Sequence, residues 1–316
     1  MNFIKSLDEI TKQDVLIAGG KGASLGEMRQ ANIPVPQGFV ILSDVFDAFI
    51  KSIALDEKIQ VLLCDAVNSK RSSVEHISKE IQSRILSNPV PHEIRAEIMK
   101  GFDSLNSEFV AVRSSATLED SASTAWAGQL DTYLNTTKDE LLGNIQKCWA
   151  SLFSPKATFY RLEHSLNKRD MSLAVVIQEM LDSEKSGIAF SVHPVLQNKN
   201  QMIIEAGFGL GESIVSGLIT PDSYVVNKNE LKILGINHGN QSRGLYRKSV
   251  KGGNEWRSLV KNLHKQVLDE AEIIELSKLI IDIEQLFGFP VDIEWAKAND
   301  KFYITQSRPI TTLDVL

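Results

Sequence analysis

The chain has 316 residues, 43% of them hydrophobic and 23% charged, with a formal net charge of -6. That length exceeds one small core and suits two packed lobes, and the acidic balance argues against nucleic acid as a partner. The two cysteines, Cys64 and Cys148, stand far apart in no metal-ligand spacing. Neither a disulfide scaffold nor a zinc site is expected, and a reducing cytoplasm fits. The opening MNFIKSLDEITKQD lacks the apolar stretch of a signal peptide, and no apolar run reaches membrane-spanning length, so no membrane partner is expected.

In chain order, the first informative stretch is VLIAGGKGASLGEMRQA, residues 15–31. A short apolar run meets Gly19, Gly20, Lys21 and Gly22 at the mouth of a helix-like segment. Glycines let a backbone approach an anion, and a helix N-terminus offers free N–H groups. Lys21 therefore reads either as a phosphate contact or as a solvated lysine in a tight turn. The pattern is not a Walker A loop, because Gly22 rather than Ser or Thr follows Lys21. A strand is expected over 39–42. Residues 72–88 open with a Ser72-x-x-Glu75 capping box and line Val74, Ile77, Ile81 and Ile85 along one helical face. Pro91 suits the first turn of the next helix, with Ile94, Ile98 and Phe102 on its buried side.

The next strand, 109–113, ends in Arg113. Ser114, Ser115, Ala116 and Thr117 are expected after it, as a polar rim or as a turn with a helix cap. Residues 125–131, with Gly128, read as a flexible loop before the strand 132–135. Thr137-x-x-Glu140 and Ser154-Pro155 open two further helices. The strand 173–180 ends in Gln178, Glu179 and Met180. Its edge either offers backbone groups to an adenine ring or is a plain buried strand leaving the core. Residues 181–186 are the best hinge, dividing an α+β lobe over 1–182 from a sheet-rich lobe over 183–316.

In the second lobe, strands are expected over 187–191, 202–205, 223–226 and 231–235. Gly207, Gly209 and Gly211 resemble a dinucleotide fingerprint superficially, but the spacing and the sheet-rich neighbourhood exclude it. His193 reads as structural. A long amphipathic helix spans 269–287, ended by Gly288 and Pro290. Two strands close the chain, 291–296 and 302–306. Pairing about Asp300 would set Glu294 opposite Gln306 and Asp292 opposite Arg308, on one face. Carboxylate and amide oxygens suit a magnesium ion shared with phosphates, and the guanidinium suits phosphate oxygens. A hairpin with one wet face is the alternative.

Together these stretches resemble the N-terminal nucleotide-binding domain of the phosphoenolpyruvate synthase, pyruvate phosphate dikinase and rifampin phosphotransferase family. The matching segments are GGKGASLGEM, IPVPQGFVI, AVRSSATLED, AGQLDTYLN, IIEAGFGLGE, TPDSYVV, DIEWA and ITQSRPIT, in the family's order over nearly the whole chain. The resemblance implies an α+β, two-lobed, ATP-grasp-like fold that binds ATP and Mg2+ in its cleft. It implies that Lys21 touches the ATP phosphates and that Arg113 contacts the transferring phosphoryl oxygens. Gly128, Gln129 and Thr132 would belong to a loop over the phosphates, and Gln178, Glu179, Met180 and Leu181 to the adenine hinge. Asp292, Glu294 and Gln306 would hold the metal, with Arg308 beside them on phosphate. Lys21, Arg113 and Arg308 would be the catalytic side chains.

The implied activity passes the β-phosphoryl of ATP to a histidine on a swivelling carrier domain or subunit, releasing AMP. A small-molecule final acceptor would sit on that partner. Two departures stand out. SASTAW follows Glu119 and Asp120, where the family usually has a proline and a phenylalanine. None of His76, His92, His164, His193, His238 and His264 lies in the Thr-x-His context of the carrier histidine. The sequence therefore reads as an ATP-activating half that works with a carrier in trans or is truncated from one. A non-catalytic nucleotide-binding regulatory module and a self-sufficient small-molecule kinase are the alternatives.

Overall fold

The computed structural model describes residues 2–67, 71–117, 130–163, 172–248, 253–259, 265–311 and 313. The chain divides into two compact units, Met1–Gly26 with Gln37–Met180, and Glu27–Pro36 with Leu181–Leu316. Helix and sheet are mixed in both.

The first unit contains β1 (Ile4–Ser6), most of α1 (Val15–Gln30), β2 (Gly38–Ile41), α2 (Ser43–Ser52), α3 (Asp56–Val67), α4 (Arg71–Ser87), α5 (His92–Ser104), β3 (Val110–Ala116), β4 (Thr132–Thr136), α6 (Leu141–Ser151), α7 (Pro155–Glu163) and β5 (Leu173–Glu179). Its sheet runs β1-β2-β5-β3-β4, antiparallel at every step. Phe39, Ile41, Val110, Val112, Val175 and Ile177 alternate onto one face and meet the helices there. Phe49 and Trp149 stack within that core, ring centroids 4.9 Å apart. Val40 and Val176 point to the other face, where α1 lies. A Cβ on Gly22 would sit 3.2 Å from Val40 Cγ2 and 3.7 Å from Val176 Cγ2, so this glycine lets α1 lie close to the sheet.

Several sequence expectations shift in this unit. Val15, Leu16 and Ile17 are helical, and α1 breaks at Gly19, whose φ of 70° and ψ of 170° separate a first turn from the main helix. α4 already includes Ser72, one residue past its start, so Ser72 does not occupy the capping position. Thr137 does not cap α6: Glu140 stands at the capping position without a side-chain cap, while the Thr137 amide and hydroxyl donate to the Glu140 carboxylate at 3.2 and 2.8 Å. The Ala157 amide donates to Ser154 Oγ at 3.1 Å where Pro155 opens α7. β3 does not end at Arg113: it runs on through Ser114 and Ser115, both fully enclosed.

The second unit contains β6 (Lys185–Phe190), β7 (Gln201–Phe208), α8 (Glu212–Val215), β8 (Asp222–Asn227), β9 (Lys232–Asn237), β10 (Arg243–Arg247), β11 (Asn254–Ser258), α9 (Glu270–Phe287), β12 (Val291–Ala298) and β13 (Lys301–Pro309). Six strands form an antiparallel sheet in the order β13-β12-β6-β7-β8-β9, and β10-β11 make a separate ribbon. The ribbon and β1 are elements that the sequence patterns did not signal. The segment Glu27–Pro36 belongs here because the Ile304 amide on β13 donates to the Pro34 carbonyl at 2.7 Å.

α9 is fixed at both ends. Asp269 accepts from the Glu272 amide while Glu272 accepts from the Asp269 amide, and Gly288 ends the helix in the left-handed region at φ 76°. It packs on the sheet face that carries Ile293, Trp295 and Tyr224. Glu272 reaches two lysines on that face: Lys185 Nζ at 2.7 Å and Lys297 Nζ at 2.6 Å. The Leu268 amide donates to Tyr224 Oη at 3.1 Å just before the helix. Asp292 and Glu294 therefore face the opposite side. No described helix is long and apolar enough to cross a membrane.

Candidate functional site

In the first unit the sheet face beneath α1 gathers several of the singled-out residues. Arg113 on β3 stands opposite Val176 on β5 and opposite Thr132 on β4. Gln178 is two residues on from Val176, so Arg113, Thr132 and Gln178 share one face. Arg113 Nη1 donates to Gln178 Oε1 at 3.2 Å, and both side chains are buried. Gln178 Nε2 is buried and makes no hydrogen bond among the described residues. The strand then leaves the sheet, with the Glu179 amide donating to the Gln37 carbonyl at 2.8 Å and the Met180 amide to the Phe109 carbonyl at 3.1 Å. Gly128 and Gln129 lie outside the described residues.

Lys21 is carried on the same face by a clamp between α1 and β3. Ser115 Oγ donates to the Ala18 carbonyl at 2.8 Å and accepts from the Gly22 amide at 3.2 Å. Ser115 is two residues from Arg113, so one strand positions both groups. Gly19 is required at the break: its φ is positive, and a Cβ would lie 2.2 Å from Ser115 Oγ. The charge of Lys21 is felt at Cys148, whose thiol burial pushes up to about 12 against a lowering contribution from that lysine. Cys148 is thus an inert core thiol. The sequence places Ser115 beyond the strand, on a polar rim or in a turn, whereas it lies within β3. The alternation of Val110, Val112 and Ser114 against Ala111, Arg113 and Ser115 is the signal that would have extended β3.

In the second unit the terminal hairpin brings together the other set. Asp292 pairs with Arg308 and Glu294 with Gln306. The pairing depends on a bulge. Nearer the turn Trp295 stands opposite Ile304, so Thr305 is the extra residue, and without it Glu294 would oppose Thr305. The turn itself is Asn299 and Asp300, both at positive φ, 51° and 58°. Asp292 Oδ2 accepts from Arg308 Nε at 2.8 Å and Nη2 at 2.7 Å. Burial raises the Asp292 carboxyl, opposed by the Arg308 charge and reinforced by Glu294. Gln306 is buried, whereas Asp292 and Glu294 are half-buried. Leu181, expected at the adenine hinge, begins the second segment of this unit and is half-buried.

The profile of the family described as "Pyruvate phosphate dikinase, AMP/ATP-binding domain" matches residues 15–315. The chain belongs to that family. The AMP/ATP-binding domain is 41% identical, over 99% of its length, to a probable phosphoenolpyruvate synthase of Methanocaldococcus jannaschii, covering 27% of that protein. It is 37% identical, over 99% of its length, to the rifampicin phosphotransferase of Bacillus cereus, covering 36% of that protein. The domain spans less than half the length of these relatives. A solved D-alanine-D-alanine ligase from Helicobacter pylori is 12% identical and covers 76% of the domain and 54% of that chain, but its TM-score of 0.33 is too slight to bear on the fold.

Proposed function

We propose that this domain binds ATP with magnesium, in an ATP-grasp-like fold, and activates it for phosphoryl transfer. The observation that carries the reading is the hairpin register, which aligns Glu294 with Gln306 and Asp292 with Arg308 on one sheet face. The family match supports a nucleotide as the ligand. The donor set suits magnesium, since carboxylate and amide oxygens are hard ligands of the kind that ion takes beside phosphates. Glu294 and Gln306 would hold it with Asp292, whose Oδ2 also accepts from Arg308. When bound, the metal neutralises charge on the phosphates and orients them.

The protein's own groups do the rest. Arg308, held by Asp292, sets its guanidinium charge against phosphate oxygens. Lys21 and Arg113 take phosphoryl oxygens, and Thr132, with Gly128 and Gln129, lines the phosphates. Gln178, Glu179, Met180 and Leu181 meet the adenine ring. Phosphoryl transfer is mostly positioning and charge neutralisation, which three cationic side chains and a metal supply. The acceptor of the β-phosphoryl is a histidine on a separate carrier domain, and AMP leaves. A cytoplasmic setting and a small-molecule final acceptor on the partner complete the proposal.

The test incubates the chain with ATP and magnesium, alone and with the carrier domain of a relative. AMP and phosphohistidine are expected only with the carrier present. Firm ATP binding with no AMP in either arrangement would favour a regulatory module, and a phosphorylated small molecule without a carrier would favour a self-sufficient kinase.

A further inference from the structure

The sheet face that bears Glu294 and Gln306 carries a third acidic side chain, and it has no assigned task. Glu294 stands opposite Ile188, Ile188 opposite Glu205, and Glu205 opposite Ser223. Directly opposed residues on antiparallel strands share a face. Gln306, Glu294, Ile188, Glu205 and Ser223 therefore form one row across five strands, with Glu205 about 10 Å from Glu294 at the usual strand spacing. The adjacent row reads Arg308, Asp292, Phe190, Ile203 and Val225. The row on the other side is roofed: a Cβ on Gly207 would come within 2.9 Å of both Ile214 Cδ1 and Ile219 Cδ1. Glu205 thus lies at the foot of an apolar wall, beside a shelf of Ile188, Phe190 and Ile203.

Its carboxylate makes no hydrogen bond or ion pair among the described residues, although the residue is half-buried. Burial raises its carboxyl, with no cation to offset the effect. A partly desolvated carboxylate without a partner is costly, and a ligand that donates hydrogen bonds relieves that cost. A metal is the poorer occupant. Ile188 separates Glu205 from Glu294, so the two carboxylates do not converge on one ion.

We propose that Glu205 accepts the ribose hydroxyls of the bound nucleotide and makes the site select ribonucleotides over deoxyribonucleotides. This rests on the nucleotide-binding reading above. ATP has donors only at its ribose hydroxyls and its adenine amino group. The ribose adjoins the phosphates, which the Glu294 row takes with the metal, and the sugar's apolar edge suits Ile188 and Phe190. The amino group lies at the far end of the molecule. A carboxylate two strands from Glu294 along the same row therefore meets the sugar before the base.

The test is calorimetry on the full chain with magnesium and four nucleotides: ATP, 2′-deoxy-ATP, 2′,3′-dideoxy-ATP and purine riboside triphosphate. The wild-type chain is expected to bind ATP roughly tenfold tighter than the dideoxy nucleotide, the scale of a charged hydrogen bond. Glu205→Ala should weaken ATP by that factor, leave dideoxy-ATP unchanged and bring the ratio close to one. Glu205→Gln, closer in shape, should give an intermediate ratio and guards against a folding defect in the alanine variant. Equal losses on ATP and dideoxy-ATP, or an unchanged ratio, would overturn the assignment. So would a loss that persists with dideoxy-ATP but vanishes with purine riboside triphosphate, which would move Glu205 to the adenine amino group. No heat with any nucleotide overturns the nucleotide reading itself and takes this assignment with it.

Discussion

Gly22 and Ser115 are joined across 93 positions of sequence: the Gly22 amide donates to Ser115 Oγ at 3.2 Å, and the same hydroxyl donates to the Ala18 carbonyl. One side chain thereby satisfies a donor and an acceptor on either side of the break at Gly19. Ser115→Ala leaves both buried backbone groups unpaired, at a cost of about 2 kcal/mol. Denaturant unfolding should show that loss. ATP affinity should fall as well, because the turn that carries Lys21 loses its tie to the strand of Arg113. Unchanged stability would mean that the loop is held elsewhere.

Gly19→Ala tests the same joint from the other side. The left-handed backbone and the 2.2 Å approach of a Cβ to Ser115 Oγ both oppose it. A loss of at least ~2 kcal/mol is expected by thermal unfolding, and Ser115→Ala in the same chain should not recover it, because the Cβ would also lie 2.3 Å from the Ser115 carbonyl oxygen. Full recovery in the double variant would assign the strain to the hydroxyl alone.

Glu294→Ala should remove the magnesium-dependent tightening of ATP binding while leaving the melting temperature within a degree or two. Glu294 is half-buried at the bulged register, so its loss opens no core cavity. The measurement is calorimetry with and without magnesium. Tightening retained in the variant would remove Glu294 from the metal set. Arg308→Lys should weaken ATP binding less than Arg308→Ala, since lysine keeps the charge but not the two-pronged grip on Asp292.

Glu272 sets an acid-side dependence of stability. Burial pushes its carboxyl up, but bonds from Lys185, Lys297 and the Asp269 backbone outweigh that and hold it below the ordinary value of 4.5. A depressed folded value means that the carboxylate stabilises the fold fully above 4.5 and that this contribution is lost as pH falls below it. Glu272→Gln should therefore cost about 2 kcal/mol at pH 7, and its deficit against wild type should shrink steadily below pH 4.5. Chemical denaturation from pH 3 to 8 reads this directly. A deficit constant with pH would assign the effect to packing.

The sequence by itself determined the terminal hairpin. Alternation put Asp292 and Glu294 on one face, a local consequence of the two-residue strand period, whereas simple pairing about Asp300 does not describe the strands near the turn, where Trp295 stands opposite Ile304. It also determined α9, whose cap at Asp269 and stop at Gly288 are local signals. The motif order carried the family for the same reason: identity of side chains along the chain is a sequence property. Only the tertiary structure decided that Ser115 clamps the Lys21 turn, because the two partners lie 93 residues apart. Only it showed that a bulge at Thr305 was needed to reach the register, as bulges leave no periodic trace. It alone joined Glu27–Pro36 to the second unit through Ile304, and lined up Glu205 with Glu294 across β6. Strand order and cross-strand register are settled by packing between distant segments, and no window of neighbouring residues contains that information.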